Sequence, residues 1–491
     1  MRNANIFNMI NVSLRLFSAL LVLQRALGFG LTQERLLDGL NSTQGTYTVV
    51  KHDKFPHHTV RMKLMEKSAG FCDSTVDTYV GYVDIEARHL FFYYFESRNT
   101  PANDDVVLWL NGGPGASASI GLFMELGPCT IISDTMTEHN PYSWSSNANL
   151  LFVDQPIGVG FSYADYGETV DTTEQAAKDV AAFLAIFFES MDGLKGRALH
   201  IAGESYGGRY VPLFAGEVYD QNRRLERLGI TPVNLLSVLI GNGCSDTYHT
   251  ITSYYDMQCS PTFAGAPIQS VGVCTQMKQA LPRCKLGLQT HCQDSFDIVN
   301  CKAAQSFCDD QLAAPFQLTG RSYYDIRTKC IGEVTDTLCY PETKQISSYL
   351  NLPSTREMLG IQPNYPNITL VGWDVNAAFT ASGDVHHAST RHIEALLEHG
   401  VRVLIYAGIF DLACNFIGND RMARALQWHG QAEFSAQPLR AWTVDGELAG
   451  QTRSFGGLTF ATLRGAGHQV PHDNPVNALA LLDRWLSDVA L

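Results

Sequence analysis

The sequence predicts an α/β fold: a mainly parallel central sheet with helices on both faces and a Cys-rich insertion. Three observations carry this expectation. Short apolar runs rich in Val, Ile and Leu occur at 104–110, 149–153, 198–202, 235–240 and 401–407, each closed by Gly, Asn or Asp. Fully buried parallel strands have this character. Helical stretches alternate with them, which is the rhythm of a sheet covered on both faces. Between about 246 and 345 the rhythm breaks, and eight of the 12 cysteines fall between Cys259 and Cys339.

The chain opens on Arg15, the apolar run Leu16–Leu23 and the small residues around Ala26-Leu27-Gly28. This predicts a signal peptide over 1–28, too short to span a bilayer. No later stretch is apolar enough for a transmembrane helix. An N-terminal extension is expected over 29–79, a core over 80–245 and 346–491, and the Cys-rich insertion over 246–345, irregular and above the carboxyl edge of the sheet. The insertion lacks the flexible boundary of a separate domain. Within the core, Thr172-Thr173-Glu174-Gln175 is a capping-box pattern. Apolar positions Ala176, Val180, Phe183, Leu184, Phe187 and Phe188 follow at helical spacing. Thr390–Glu398 predicts a helix stopped by Gly400, and Asn474-Pro475 starts a last one running to about Val489.

Composition limits the function classes. With 45% hydrophobic and 17% charged residues the chain has material for a large core. Lys plus Arg number 35 and Asp plus Glu 49, a net charge of −14, which disfavours nucleic acid and anionic membranes as partners. Twelve cysteines with a local concentration point to disulfides made in an oxidising compartment. Without any C-x-x-C pair, zinc is the weaker reading. Asn41-Ser42-Thr43 and Asn367-Ile368-Thr369 are glycosylation sequons in an exported chain.

The chemistry begins at Gly203-Glu204-Ser205-Tyr206-Gly207, directly after the expected strand 198–202. Gly-x-Ser-x-Gly alone is a weak signal. At a sharp strand-to-helix turn it lifts a serine hydroxyl above the sheet. A serine nucleophile needs a base and an acid that orients the base. Asp411 follows the strand 401–407, and His468 follows a further expected strand, 458–463. Asp473, Asp445 and Asp420 compete for the acid role, though none closes a buried strand so cleanly. The order Ser, Asp, His is that of α/β-hydrolases. Asn111-Gly112-Gly113-Pro114-Gly115 follows the strand 104–110 and offers one oxyanion donor at Gly113; the Tyr206 N–H offers the second.

These motifs, with Trp109-Leu110, Glu125-Leu126-Gly127-Pro128, Asn140-Pro141-Tyr142-Ser143-Trp144, 154–163 (DQPIGVGFSY) and Gly465-Ala466-Gly467-His468, resemble the serine carboxypeptidases of the carboxypeptidase Y type, fungal members above all. The resemblance runs from about Val80 to the C-terminus. It implies an α/β-hydrolase that removes C-terminal residues from peptides or proteins without metal or cofactor. It further implies that Asn111, Gly112 and Glu204 hold the substrate carboxylate, with Glu125 bonded to Glu204. Two adjacent buried carboxyls retain a proton, and a protonated carboxyl can donate to a carboxylate. The resemblance implies Cys259–Cys274, Cys284–Cys308, Cys292–Cys301 and Cys330–Cys339, and a free thiol at Cys414. Cys72 with Cys129 is a further pairing offered, and Cys244 is left without a partner.

The chain departs from that family at four places. Gly115-Ala116-Ser117-Ala118 and Val371 lack the two ends of a common disulfide, a loss worth about 2–4 kcal/mol. Ile409 stands where Asp is common. Gln469 replaces the Met that lines the pocket for the departing residue. Two rivals accompany the peptidase expectation: an acyltransferase of the same fold, in which an alcohol or amine replaces water, and a secreted binding protein without catalysis. The expected destination is secretion, with the vacuole as alternative, and acid is the expected working pH.

Overall fold

In the computed structural model, residues 32–34, 48–261 and 266–491 are described. The predicted leader and Asn41 lie outside the described residues. Six parallel strands form the middle of one large sheet, in the order Asn149–Val153, Val106–Leu110, Ala198–Glu204, Asn234–Gly241, Arg402–Gly408 and Leu458–Leu463. These are the five apolar runs and the sixth expected strand. Antiparallel strands flank them. Thr48–Lys51, His58–Leu64, Thr78–Ile85 and Arg88–Phe95 form a meander that joins Asn149–Val153. Glu447–Phe455 and Arg440–Val444 extend the other side. Residues within 29–79 thus supply three whole strands of the main sheet, the first, Thr32–Glu34, pairing antiparallel with Thr48–Lys51.

Successive side chains of a strand point to opposite faces, so each buried run feeds two cores. Leu108 and Leu110 share one core with Val180, Phe183, Val211 and Phe214, from the helices Thr173–Ser190 and Gly207–Leu228. Val107 and Trp109 share the other with Phe123, Leu481 and Trp485, the last two from the helix Pro475–Leu486. Each large apolar side chain so buried stabilises the fold by about 1.5–3 kcal/mol. Thr172 caps the helix Thr173–Ser190, its hydroxyl accepting the Gln175 N–H at 3.4 Å.

The stretch expected to be irregular is largely helical: Thr247–Thr252, Tyr254–Cys259, Val271–Leu288 and Ile298–Cys308. Their apolar periodicity is faint because disulfides do part of the packing. Of the 18 residues in Val271–Leu288 only Met277, Cys284 and Leu288 are buried.

Six disulfides take up all 12 cysteines. Cys259–Cys274, Cys284–Cys308, Cys292–Cys301, Cys330–Cys339 and Cys72–Cys129 coincide with the expected pairs. The sixth corrects the sequence reading: Cys414 is not free but is bonded to Cys244, with their Cα atoms 5.0 Å apart. The strands Asn234–Gly241 and Arg402–Gly408 are parallel neighbours, so the loops that leave their carboxyl ends meet although 170 residues separate the two cysteines. Ala116 and Val371, where the common disulfide is missing, still face each other as a backbone bridge. The Ser117 N–H donates to the Leu370 carbonyl at 2.8 Å, and the Gly372 N–H to that of Gly115 at 2.9 Å.

Candidate active site

Parallel strands deliver their functional loops at the carboxyl edge, and five of the six central strands do so here. Ser205 follows Ala198–Glu204 with φ of +63°. A non-glycine residue in that region is strained. The strain is held by neighbours. The Ser205 N–H donates to the Gly241 carbonyl at 3.2 Å, and the Ser205 carbonyl accepts from Gly208 and Cys244 N–H groups at 2.9 and 2.8 Å. Two glycines make the close approach possible. A Cβ on Gly112 would lie 2.3 Å from the Tyr206 nitrogen and 2.8 Å from Ser205 Cβ, and one on Gly208 would lie 2.7 Å from Ser245 Oγ.

Asp411 follows Arg402–Gly408 and is fully buried. Its Oδ2 accepts from His468 Nδ1 at 2.8 Å, Asn242 Nδ2 at 2.9 Å and the Cys414 N–H at 3.0 Å, while Oδ1 accepts the Ala413 N–H at 2.9 Å. Every lone-pair direction of a buried carboxylate needs such a partner. His468 follows Leu458–Leu463, and its N–H donates to the Tyr324 carbonyl at 2.7 Å. The competing acids are engaged elsewhere. Asp473 accepts from the Gly467 N–H and His472, Asp420 pairs with Arg453, and Asp445 occupies a tight turn with φ of +50°.

Asn111, Glu125 and Glu204 are all buried. Asn111 Oδ1 accepts from Trp109 Nε1 and from the Gly121 N–H, both at 2.9 Å. This fixes the amide, so that Nδ2 donates to Glu125 Oε1 at 3.1 Å. Glu125 ends the short buried helix Gly121–Glu125. The carboxyls of Glu125 and Glu204 lie close enough to shift each other's titration, and Glu125 Oε2 is buried without a hydrogen-bond partner among the described residues. Burial first, then the Glu125 charge, push the Glu204 carboxyl well above the usual range. Burial also raises Glu125, offset in part by Glu204 and Asn111. A neutral carboxyl is thereby kept where it can donate.

A cavity of about 190 Å³ brings Asn111, Gly112, Gly113, Glu204, Ser205, His468 and Gln469 together. Glu125 lies behind it, and Tyr206 turns its side chain away. Gln469 is 5% exposed, and its Oε1 has no protein partner among the described residues. Tyr324, Tyr340, Val371 and Trp373 complete the wall; the three aromatics sit in no motif that sequence reasoning recognised. Also missed was Asn242, whose place at the end of a buried strand was the available signal. A third missed feature lies under the nucleophile. Asp384 accepts from Tyr206 Oη, from Arg209 Nε and Nη2, and from Thr173. After the cost of burial, the Arg209 guanidinium is the main reason that the Asp384 carboxyl lies low, at about 2. Asn367 is exposed.

A serine at a strained turn after Ala198–Glu204, with a buried aspartate and a histidine after the adjacent strands Arg402–Gly408 and Leu458–Leu463, is the arrangement of an α/β-hydrolase. The model of the serine carboxypeptidase family matches residues 70–488. Carboxypeptidase Y of Candida albicans is 40% identical over 435 residues, covering 88% of this chain and 77% of the relative. A vacuolar serine-type carboxypeptidase of Saccharomyces cerevisiae is 38% identical over 460 residues, covering 93% and 88%. The solved structure of Kex1, a prohormone-processing carboxypeptidase from Saccharomyces cerevisiae, has the same fold, with a TM-score of 0.73 at 24% identity over 87% of this chain and 95% of that one. The chain belongs to the serine carboxypeptidase family. It is a serine-type carboxypeptidase, releasing amino acids from peptide C-termini.

Proposed function

We propose that Ser205, His468 and Asp411 carry out acyl transfer to water on the last peptide bond of an acid-favoured peptide substrate. Ser205 Oγ attacks the carbonyl carbon, and His468 Nε2 takes the hydroxyl proton. Asp411 holds the ring through Nδ1 and stabilises the imidazolium. The Gly113 and Tyr206 N–H groups receive the oxyanion. As the intermediate collapses the C–N bond breaks, and His468 returns its proton to the departing amine. Water then attacks the ester by the same path, releasing the shortened peptide and Ser205.

The observation that carries the exopeptidase assignment is the pair Asn111 and Glu204 in the wall of the cavity that holds Ser205, with Glu125 behind them accepting from Asn111. Its donors suit a terminal carboxylate, and its proton suits acid. Gln469 borders the space for the departing residue. Six disulfides need an oxidising compartment, which supports the secretory route. The vacuole is the destination in one relative's name, and secretion is the destination expected from the leader. Among the described residues no helix is long and apolar enough to cross a membrane.

Ser205→Ala tests the assignment. Release of the last residue from blocked dipeptides, followed by mass analysis, should fall to background, and labelling by a fluorophosphonate should stop while the protein stays folded. Full labelling of the variant places the nucleophile elsewhere.

A further inference from the structure

The segment Gly241–Ser245 touches both ends of the catalytic apparatus. The Gly241 carbonyl accepts the Ser205 N–H at 3.2 Å, and the Cys244 N–H donates to the Ser205 carbonyl at 2.8 Å. Asn242 Nδ2 donates to Asp411 Oδ2 at 2.9 Å, and Asn242 Oδ1 accepts the Gly408 N–H at 3.0 Å. Ser245 Oγ donates to the Gly208 carbonyl at 2.9 Å, in the first turn of the helix that Ser205 introduces. On the opposite side, the Cys414 N–H donates to Asp411 Oδ2 at 3.0 Å. The Cys244–Cys414 disulfide closes this loop of contacts covalently, joining the residue that holds the Ser205 carbonyl to the residue that holds the Asp411 carboxylate.

We propose that Cys244–Cys414 is a positioning crosslink for catalysis: it fixes the nucleophile turn at Ser205 against the Asp411–His468 pair, so turnover depends on its being oxidised. The inference rests on the roles given above to Ser205, Asp411 and His468. The sheet pairing ends at Gly241 and Tyr406, and beyond it only the Asn242 bonds join the two loops, which leaves them room to separate slightly. A covalent tie with Cα atoms 5.0 Å apart removes that freedom. Reactions that need a hydroxyl, an imidazole and a carbonyl in line lose about 100-fold for a displacement of about 1 Å. Cys414 is fully buried and Cys244 is half-buried. In solution the bond opens only to a reductant that reaches it. One thiolate of a dithiol attacks one sulfur and forms a mixed disulfide. The second thiol then displaces it, leaving two cysteine thiols and the oxidised, cyclic dithiol.

The test uses the whole enzyme. Maleimide added to the denatured, unreduced parent should find no free thiol; recovery of label on Cys244 and Cys414 overturns the proposal. The double variant Cys244→Ala with Cys414→Ala keeps both N–H donors and removes only the bond. Its kcat should fall about 10- to 100-fold, equally for a blocked dipeptide and for an ester without a free carboxylate, with KM within about twofold. The comparison is Cys292→Ala with Cys301→Ala, which removes the helical pair Cys292–Cys301, whose neighbour Gln293 bonds to Asp246 and to neither Ser205 nor Asp411; it should lower thermal stability and leave kcat in place. An unchanged kcat in the 244/414 variant refutes a positioning role, and so does an equal loss in the 292/301 variant. Should the 244/414 variant aggregate, Cys244→Ser alone, tested soluble and folded by circular dichroism, carries the same kcat expectation. If Ser205→Ala retains full turnover, the mechanism has failed first, and the two failures are distinct.

Discussion

Replacing Glu204 by Gln separates carboxylate recognition from the chemistry of bond cleavage. The proposal has the protonated Glu204–Glu125 pair donate to the substrate carboxylate; both carboxyls are shifted upward, mainly by burial. A raised acid pKa means that the binding form is present at low pH and is lost as pH rises through the raised value. Above it, KM for a peptide should climb about tenfold per pH unit, because only the protonated fraction binds. The ceiling follows from repulsion. Two like charges about 4 Å apart at an effective dielectric constant near 20 repel by about 4 kcal/mol, equivalent to about 10³-fold. An amide at position 204 donates at every pH and cannot ionise. It should cost about fivefold at the acid end, the worth of one weaker hydrogen bond, and then stay flat. The measurement is the ratio of kcat/KM for a blocked dipeptide to that for an ester without a free carboxylate. In the proposed mechanism both substrates use the same catalytic groups, so any pH dependence of the chemical step cancels from the ratio. The parent ratio should fall steeply with pH and the Glu204→Gln ratio should not. An equally steep fall in the variant refutes the role given to Glu204.

Gln469→Met should raise kcat/KM for Leu over Ser or Asn as departing residue by about 5- to 100-fold, since an apolar side chain facing the unpartnered Gln469 amide forfeits about 1–3 kcal/mol; an unchanged ratio in a substrate panel means that Gln469 points away from the departing residue. Asp384→Asn leaves the buried Arg209 guanidinium with only the exposed Glu174 as charge partner, and should lower unfolding free energy by about 3 kcal/mol. Urea titration checks this, and a loss below about 1 kcal/mol contradicts the buried-pair account.

The middle of the sheet was legible because each central strand is a buried run of β-branched and aliphatic residues ending at a polar or Gly position. The edges were not. His58–Leu64 buries only Val60 and Met62, and Glu447–Phe455 buries residues in adjacent pairs between exposed ones, so neither shows a continuous apolar run and the pattern blurs into loop. The convergence of Ser205, Asp411 and His468, the proposed triad, was legible for a topological reason: each stands just after a strand that could be recognised by itself. Asn242 follows an equally clear strand, but nothing in the sequence says that strand 234–241 lies beside strand 402–408. The same missing adjacency hid the partner of Cys414 and the buried contact between Thr173 and Asp384, 211 residues apart. Tyr324, Tyr340 and Trp373 reach the cavity from segments with no periodic signal, so only the tertiary fold assembles them.

Selection for chain ends follows from what stands behind the donors. Trp109 and Glu125 are buried beyond Asn111 and Glu204, and Asn111 Oδ1 is already saturated by Trp109 Nε1 and the Gly121 N–H. A peptide that continued past the scissile residue would have to thread through this packed layer, displacing Trp109 from its contact with Trp144. It would also present a neutral amide to a pair built to donate to an anion. Its N–H would face the neutral Glu204 and the Asn111 amide, both offering hydrogens, and would be buried without an acceptor. An unmade hydrogen bond of that kind costs about 1–3 kcal/mol, in addition to the steric cost of opening the wall. A terminal carboxylate incurs neither penalty: it ends where the wall begins, and it accepts what the wall donates. In the proposed recognition, the proton that burial keeps on the Glu204–Glu125 pair does two things at once. It removes the repulsion that a carboxylate pair would exert on an acidic terminus, and it supplies the donor by which that terminus is told apart from the interior of a chain.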